Sequence, residues 1–340
     1  MKAIGFVTSL PVDDPASLFE FETETPEPGP RDLRVRVRAV SVNPVDWKQR
    51  QRAAQGTALA APKILGYDAS GVVEAVGSEV SLFSVGDEVF YAGSILRPGT
   101  NAELHLVDER LVGPKPASLS HAEAAALPLT SITAWEAIFD RLPVPEGGGA
   151  GKSILILGGA GGVGSIAIQL ARKLTALEII ATASREDSAR WCRDHGADLI
   201  ADHRDLITSV RGQHRHHVDY ILCTNQSGPH FDAMAELIAP QGAICSIVGT
   251  ERPVEISKLM GKSASFGFEL MFTRSTFQTE DMIEQHRLLG RVAHLVDRTD
   301  SGRIKTTLSE TLTGFTAENH RQAHKMVEAG SMIGKVAIAY

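Results

Sequence analysis

The spacing of the hydrophobic positions changes along the chain, near residue 150. Before that point, short β-rich runs are broken by Gly and Pro, as in the turn stretch 26–30, and Leu33, Val35 and Val37 alternate with arginines. A period of two is typical of a strand with one buried and one solvated face. The pattern therefore predicts a compact, mostly antiparallel β-rich lobe.

From residue 153 onward, apolar segments alternate with segments of helical periodicity. This alternation of segments is typical of a parallel sheet whose two faces are covered by helices. It predicts strands at 154–157, 179–183, 218–223 and 243–248.

The last part of the chain is predicted to hold an exposed helix and two further strands, at 281–296, 302–307 and 334–340. The simplest architecture is an α/β protein in which both ends of the chain build the β-rich lobe. We place this lobe at residues 1–128 and 276–340. A doubly wound parallel-sheet domain is expected between them, at 129–275.

Composition narrows the class of protein. The 340 residues carry a net charge of −7, with 43% hydrophobic and 22% charged residues, as in ordinary globular proteins. Nucleic-acid binding needs Lys and Arg clustered on one face, so the acidic balance argues against it. The alternating Arg34, Arg36 and Arg38 are interpreted as the solvated face of a strand, with nucleic-acid contact as the alternative.

The cysteines and the apolar runs bear on cellular location. Cys192, Cys223 and Cys245 are odd in number and widely spaced, which favours reduced thiols over a disulfide framework. The first residues read as a strand rather than a signal peptide, and no apolar run is long enough to span a bilayer. The sequence therefore predicts a cytoplasmic protein without a membrane partner.

The strongest local motif is a glycine-rich turn between an apolar strand and an apolar-periodic helix. It has the form Gly159-x-Gly161-x-x-Gly164, with Gly162 and Val163 between the last two glycines. Glycines allow the tight turn and the close approach of a pyrophosphate, and the helix N-terminus supplies N–H donors. Because the strand and helix flank the motif correctly, we expect these five residues to bind a dinucleotide.

The end of the second strand of this domain indicates which nicotinamide cofactor binds. An NAD enzyme usually places Asp or Glu there, on the ribose 2′-hydroxyl, whereas this chain has Ser184 and Arg185. A hydroxyl and a guanidinium suit a 2′-phosphate, so NADPH is the predicted cofactor. Glu186 and Asp187 follow directly, and a surface Arg185 at a helix start, with NADH as cofactor, is the alternative.

Further segments carry a resemblance to a known family. They are NPVDWKQR at 43–50, GYDASGVVEAVGSEV at 66–80, GDEVF at 86–90, AAALPLTSITAWEAI at 124–138, GAICSIVG at 242–249 and the closing GKVAIAY. Over nearly its whole length the chain resembles the medium-chain dehydrogenase/reductase superfamily. Within it, the chain is similar to the zinc-independent quinone-oxidoreductase-like branch of zinc-type alcohol dehydrogenase-like proteins. The resemblance implies a GroES-like lobe, a Rossmann domain and a homodimer.

The resemblance also bears on metal binding. In zinc alcohol dehydrogenases of this superfamily one segment opens with Gly-His-Glu, and its His is a zinc ligand. Tyr67 and Asp68 stand at the last two places here, and the cysteine ligand is also missing. A site without thiolate and imidazole lacks the natural ligands of zinc, so no metal is expected. His214, His216 and His217 are interpreted as a solvated loop, with a surface metal site as the alternative.

Candidate substrate contacts follow from the same resemblance. It places Asn43, Tyr67 and Lys48 close to the substrate, where donors stabilise an oxygen that gains negative charge during reduction. For Lys48, an ion pair with Asp46 on the protein surface is the alternative. Solvent is expected to suffice as the source of the proton.

Four more residues are expected to face the cofactor. The resemblance places Thr130 near the nicotinamide. Asn225, Val248 and Gly249 follow two of the predicted strands, and open α/β sheets bind ligands at the carboxyl ends of their strands.

Together these features predict an NADPH-dependent oxidoreductase that transfers a hydride to a small-molecule quinone, enone or related conjugated carbonyl without zinc. The apolar segment FELMFTR at 268–274 either walls the substrate pocket or forms a subunit contact. Two other classes remain as alternatives. One is a cofactor-binding protein with little catalytic activity, and the other is a metal-dependent alcohol dehydrogenase.

Overall fold

A computed structural model describes all 340 residues of the chain. They form two compact units, of which the first joins Met1–Leu129 to Phe272–Tyr340 and the second comprises Thr130–Met271. The chain therefore has the inserted arrangement that its hydrophobic pattern predicts. The observed divisions lie one residue and four residues from the predicted boundaries at 128/129 and 275/276.

The first unit is built mainly of strands. Its strands are β1 Lys2–Phe6, β2 Phe19–Glu22, β3 Asp32–Ser41, β4 Lys63–Ile64, β5 Ala69–Val76, β6 Glu88–Tyr91, β7 Leu104–Asp108, β8 Val112–Pro114, β15 Leu308–Thr313 and β16 Lys335–Ala339. Its helices are α1 Pro44–Arg52, α2 His121–Ala125, α8 Thr273–Phe277, α9 Glu284–Asp297 and α10 Ala317–Glu328. The helix α3 Pro128–Trp135 carries the chain into the second unit, where a π-helical turn, Glu136–Arg141, continues it.

The long strand β3 organises the first unit. It pairs antiparallel with β5, β7 and β16 in a seven-stranded sheet, while β1 lies between β2 and β4 in a separate three-stranded sheet. Leu33, Val35 and Val37 are buried in the core, whereas Arg36 and Arg38 are exposed. The two-residue period therefore separates the core from solvent, and the prediction of a half-buried strand with a wet face is confirmed.

The second unit is a parallel sheet with helices. Its strands are β9 Ser153–Leu157, β10 Glu178–Thr182, β11 Leu199–Ala201, β12 Val218–Cys223, β13 Ile238–Ser246 and β14 Ser265–Phe268. Its helices are α4 Gly162–Leu174, α5 Glu186–Asp194, α6 Leu206–Arg211 and α7 Ser227–Leu237. The sheet order is β11-β10-β9-β12-β13-β14, so the strand order reverses between β9 and β12. This is the dinucleotide-binding doubly wound topology, in which ligands bind where the order reverses.

Several element predictions need correction. No strand forms at 302–307, because the strand of that region lies at Leu308–Thr313, where it can pair with Lys335–Ala339. The strand predicted at 243–248 begins and ends earlier, as Ile238–Ser246. Two short edge strands of the parallel sheet, β11 and β14, were not among the predicted strands.

The helix predicted around 281–296 exists, but it is not an exposed helix. Helix α9 is amphipathic, and Leu288, Leu289, Val292 and Val296 on one side are buried. The spacing of three and four residues between them is that of one helix face. The exposed positions of the helix, Arg287, Arg291 and His294, lie on its other side.

No helix of the protein combines the length and the apolar composition that crossing a membrane requires. All three cysteines are buried free thiols. The cytoplasmic location inferred from them stays a prediction.

A buried histidine of the first unit is expected to make the fold sensitive to acid. Neither ring nitrogen of His324 on α10 has a hydrogen-bond partner. Burial lowers the pKa of His324 well below its usual value, and the nearby charges of Arg50 and His320 lower it further. The folded chain therefore holds this imidazole neutral, whereas the unfolded chain binds a proton below about pH 6.5. Stability that depends on neutral His324 is lost as the pH falls.

Between pH 7 and pH 5, the variant His324→Phe should lose up to about 2 kcal/mol less of its free energy of unfolding than the parent protein. Urea unfolding at both pH values measures this difference. The exposed His216→Phe is the control, and it should follow the parent protein. Equal losses for His324→Phe and the parent protein would contradict the assignment.

Candidate functional site

The glycine-rich turn after β9 packs so tightly that three of its glycines have no room for a side chain. Gly158 has a φ of +77°, and a Cβ there would lie 2.4 Å from Thr224 Oγ1. At Gly159 a Cβ would lie 2.8 Å from Ala181 Cβ, and at Gly164 it would lie 2.2 Å from Gly158 O. These glycines bring β9, the turn and α4 into close contact, as a dinucleotide corner requires.

Gly161 differs from its neighbours because the protein itself leaves room beside it. A Cβ there would meet only Gly158 O, at 3.4 Å, and the φ of −75° is ordinary for any residue. Gly161 is the N-cap of α4, where the N–H groups of Gly162, Val163 and Gly164 have no acceptor within the helix. A free space bounded by such donors and by the positive end of the helix dipole fits a phosphate group.

The other predicted cofactor residues of the second unit follow strands of the same sheet. Ser184 and Arg185 are exposed beyond the end of β10, and Asn225 is exposed beyond the end of β12. Val248 and Gly249 follow β13, and the Ser227 hydroxyl lies 3.1 and 3.0 Å from their carbonyl oxygens.

Parallel strands present their carboxyl ends at one edge of a sheet, so these residues share an edge with the glycine corner. Thr130, by contrast, is buried on α3.

Sequence reasoning missed two contributors to the corner. The Thr182 hydroxyl accepts the backbone N–H of Gly158 at 2.9 Å, and the Thr224 hydroxyl donates to Leu157 O at 2.7 Å. Thr182 is the last residue of β10, and Thr224 directly follows β12. Each hydroxyl therefore links the end of β9 or the turn after it to a neighbouring strand. A hydroxyl at the end of β10, two residues before the predicted Ser184, was the available signal.

The first unit contains a buried polar cluster around Asn43. The Asn43 amide donates to Asp68 Oδ2 at 2.7 Å, and its Oδ1 accepts Lys335 Nζ at 2.5 Å. Asp68 also accepts the backbone N–H of Leu129 at 2.8 Å. Asp46 accepts the backbone N–H groups of Asn43 at 2.7 Å and of Gly66 at 3.0 Å. The cluster thus ties α1, the segment before β5 and β16 together inside the first unit.

Burial sets the proton affinities in this cluster. It raises the pKa of Asp46 to about 7, although the hydrogen bond from Asn43 and the charge of Lys335 oppose the rise. It raises the pKa of Asp68 to about 6, again opposed by Lys335 and Asn43. Burial also lowers the pKa of Lys335, which the charge of Asp68 opposes. The charge of each of these groups therefore affects the proton affinity of its neighbours.

Tyr67 precedes Asp68 in the chain, and its hydroxyl, unlike the polar groups of the cluster, makes no hydrogen bond. Its side chain is fully buried, its ring meets the ring of Phe272 edge to face at 5.4 Å, and its hydroxyl has no hydrogen-bond partner. Burial raises the pKa of Tyr67 above its usual value, and the charge of Asp46 adds to the rise. The phenol therefore stays protonated and offers a donor that the protein leaves unused.

The three predicted substrate contacts have different surroundings. Tyr67 has an unused donor, whereas the Asn43 amide is engaged by Asp68 and Lys335. Lys48 lies on α1 with its Nζ 5.6 Å from the centroid of the Trp47 ring. Both oxygens of Asp46, the alternative partner of Lys48, are hydrogen-bonded to backbone N–H groups, and Asp46 is buried rather than at the surface.

Lys335 was missed by sequence reasoning, although a signal existed. It opens the apolar run KVAIA of β16, whose other members are nearly all buried. A charged residue inside such a run needs a buried partner, because an isolated buried charge is very costly. The partner, Asp68, lies 267 residues away in the sequence, so spacing alone gave no link between them.

Comparison with known proteins gives the class. Residues 29–117 match the model of the alcohol dehydrogenase GroES-like domain, and residues 195–338 match that of the zinc-binding dehydrogenases. A zinc-type alcohol dehydrogenase-like protein of Staphylococcus aureus (strain MSSA476) is 42% identical over 99% of both chains.

The crystal structure of a Rhizobium etli CFN 42 protein, provisionally described as a zinc-dependent alcohol dehydrogenase, is also similar. It has a TM-score of 0.93 and 50% identity, with coverage of 100% of this chain and 98% of that one. An Arabidopsis thaliana chloroplastic protein, NADPH-dependent alkenal/one oxidoreductase, is 40% identical over 48% of this chain and 43% of its own.

The fold and these likenesses define an oxidoreductase with a GroES-like domain and an inserted Rossmann domain. The chain belongs to the medium-chain dehydrogenase/reductase superfamily.

The names of two of these relatives mention zinc, an ion that proteins hold with thiolate, imidazole or carboxylate ligands. The structure contains no group of three or more His, Cys, Asp or Glu side chains placed to hold a metal ion. Asn43 and Tyr67, which the resemblance places close to the substrate, offer an amide and a phenol, and the Lys335 ammonium contacts the Asn43 amide oxygen. Thiolate and imidazole suit zinc, whereas an ammonium repels it. These residues do not fit a zinc ion. His214, His216 and His217 are exposed.

Proposed function

We propose that the protein is an NADPH-dependent oxidoreductase that reduces a conjugated carbonyl, such as an enone or a quinone, without zinc. One observation carries the proposal: Tyr67 is a buried, protonated phenol whose hydroxyl has no partner within the protein. A buried polar group without a partner is costly, so its presence is explained by a ligand that supplies the acceptor. A carbonyl oxygen is such an acceptor.

The chain's own residues account for the chemical requirements. When bound, the nicotinamide supplies the hydride. Tyr67 donates to the substrate oxygen on which negative charge develops, and its apolar neighbour Phe272 keeps water from that bond, which strengthens it. Conjugation already activates the substrate, so no Lewis acid is needed, and the proton comes from solvent.

For the cofactor, we assign the pyrophosphate to Gly161, Gly162 and Val163 at the start of α4. Gly159 and Gly164 shape the turn. The exposed Ser184 and Arg185 are assigned to the 2′-phosphate. Asn225, Val248, Gly249 and Thr130 complete the assignment. The Arabidopsis relative named as NADPH-dependent supports this choice.

Asn43 and Lys48 keep different roles in the proposal. Because the Asn43 amide is occupied, we assign Asn43 to the support of the site rather than to the substrate. Lys48 stays a candidate substrate contact, since it lies on helix α1, whose N-cap is Asn43.

The deciding experiment is a reduction assay of the purified protein with enones, quinones and simple aldehydes, each with NADPH and with NADH, together with metal analysis. We expect turnover of conjugated substrates, a preference for NADPH and activity that a chelator leaves unchanged. Tight NADPH binding without turnover of any substrate would favour a binding protein. Stoichiometric zinc with chelator-sensitive alcohol oxidation would favour an alcohol dehydrogenase.

The NADPH preference is expected to depend on Arg185. Replacing Arg185 by Glu puts a negative charge where we assign the 2′-phosphate, so kcat/KM with NADPH should fall about 10- to 100-fold. The value with NADH, which lacks that phosphate, should change little. Arg190→Glu is the matched control, because Arg190 is exposed on helix α5, which begins directly after Arg185, and pairs with Asp187. An equal fall with both cofactors in Arg185→Glu would rule out this assignment.

We also propose that the chain forms a homodimer through the edge strand β14. This strand has a neighbour on one side only, and Phe268 at its end is 54% exposed. Leu270, Ile256 and Met260 nearby in the sequence are exposed as well. An unpaired strand edge with exposed apolar side chains is a surface that a second copy can cover. Light scattering in solution decides the point, and a monomeric mass at micromolar concentration would refute it.

A further inference from the structure

We infer that Lys335 is a positioning residue: its buried ammonium joins the loop before α1 to Asp68, the chain neighbour of Tyr67, and so aims the Tyr67 hydroxyl at the substrate. The inference rests on the proposed function, since it assumes that Tyr67 is the donor. The inference goes beyond the proposed function because it assigns a role to the buried polar cluster around Asn43, in a protein whose residues do not fit zinc. The ammonium supplies the central positive charge there.

The ammonium of Lys335 is held on three sides by oxygen atoms. Lys335 Nζ lies 2.9 Å from Val42 O, 2.5 Å from Asn43 Oδ1 and 3.2 Å from Asp68 Oδ2. Only 5% of its side chain is exposed. Three donors therefore meet three acceptors, and these acceptors belong to two separate loops, one before α1 and one before β5.

Both chain neighbours of Tyr67 are held in place, Asp68 by the Lys335 ammonium among others and Gly66 by Asp46. Asp68 is held by Lys335, by the Asn43 amide and by the Leu129 N–H. Gly66, on the other side, donates its N–H to Asp46.

The backbone at Gly66 is itself constrained. Gly66 has a φ of +111°, and a Cβ there would lie 2.4 Å from Thr100 Oγ1. The Tyr67 hydroxyl has no bond of its own, so its direction depends on these anchored neighbours.

Stability alone is a weak reason for such a cluster. Replacing a buried ion pair with apolar residues of similar volume is often neutral or stabilising, whereas removing one partner is strongly destabilising. The buried pair of Lys335 and Asp68 therefore stabilises the fold little more than an apolar pair of similar volume would. A fixed geometry is what the hydrogen-bonded pair provides and an apolar pair does not.

The test compares Lys335→Met with the double variant Lys335→Met/Asp68→Asn, which removes both charges. The single variant leaves a buried carboxylate without its cation and should lose thermal stability. The double variant should regain most of the Tm. Its kcat with an enone should nevertheless stay about 10- to 100-fold below that of the parent protein, because a displaced donor is a poor catalyst. Its KM for NADPH should change less than about twofold.

The matched control is Lys115→Met. Lys115 is also only 5% exposed in its side chain, and its Nζ contacts Pro116 O, Leu119 O and a carboxylate oxygen of Glu88, the last at 3.2 Å. This variant should lose Tm and keep kcat. If kcat of the Lys335/Asp68 double variant recovers together with its Tm, Lys335 is only a structural residue and the inference is wrong.

A second measurement does not depend on turnover. The chain has four tyrosines, so fluorotyrosine labelling gives four ¹⁹F resonances, of which Tyr67→Phe identifies one. In the double variant the Tyr67 resonance should shift or broaden, while that of Tyr220 in the second unit should stay in place. An unchanged Tyr67 resonance overturns the inference. Failure to turn over any conjugated carbonyl overturns the proposed function instead, and the ¹⁹F result still decides the positioning role.

Discussion

Replacing Tyr67 by Phe is expected to lower kcat for the reduction of an enone about 100- to 1,000-fold, the usual cost of removing one donor to a developing oxyanion. The same change should leave Tm unchanged or raise it. The hydroxyl is buried and has no partner, so the folded protein loses no hydrogen bond and avoids the cost of an unsatisfied group. A gain in stability together with a loss of activity is typical of a functional group that is costly to bury.

Tyr91→Phe provides the opposite case. Tyr91 is equally buried in the first unit, but its hydroxyl lies 3.2 Å from Nδ1 of His105. This variant should lose stability, by about 1 kcal/mol, and keep its kcat. Steady-state kinetics and thermal unfolding of both variants check the pair. Full activity in Tyr67→Phe would show that the Tyr67 hydroxyl is not the donor to the substrate. The proposed function would then lose the observation that carries it.

The parts of the fold that could be predicted are those with short-range physical causes. The alternation of Leu33, Val35 and Val37 with arginines predicted a half-buried strand, because burial follows a period of two. The glycine corner was predicted because its motif lies within a few residues, directly between a strand and a helix. Even there, Gly158 was overlooked, because its need for glycine comes from its φ of +77° and from Thr224, which directly follows the neighbouring strand β12.

The substrate side of the site shows where such reasoning ends. Tyr67 was proposed from a resemblance, and its unused hydroxyl became visible only once its neighbours were in place. The Asn43 amide was expected to meet the substrate, but Asp68 and Lys335 engage it, and the contact with Lys335 spans 292 residues of the chain. Contacts of that range are created by the tertiary fold, and no local pattern of polar positions encodes them.

The two short edge strands of the parallel sheet were not predicted from the sequence, for a related reason. Strand β11 has three residues, and β14 has four, of which none is fully buried. Neither segment carries a clear run of buried or alternating positions. Each becomes a strand because a longer neighbour, β10 or β13, offers it hydrogen-bonding partners.

Gly161→Asp is expected to weaken NADPH binding at least about 100-fold, or about 2.7 kcal/mol, without unfolding the second unit. The new carboxylate would occupy the space beside the N-terminus of α4 and take the donors that we assign to the pyrophosphate. The backbone there accepts any residue, since φ is −75° and a Cβ meets no atom closer than 3.4 Å. Asp is moreover a favourable N-cap, so Tm without cofactor should be unchanged or higher.

Two further variants separate charge from space at this corner. Gly161→Asn has nearly the same volume without the charge, so it should bind NADPH more tightly than Gly161→Asp does. Gly164→Ala should instead lower Tm, because its Cβ would lie 2.2 Å from Gly158 O and the turn must open to admit it. Fluorescence titration with NADPH and thermal unfolding measure both effects. If Gly161→Asp binds NADPH as the parent protein does, the phosphate does not lie at the start of α4, and the cofactor assignment fails with it.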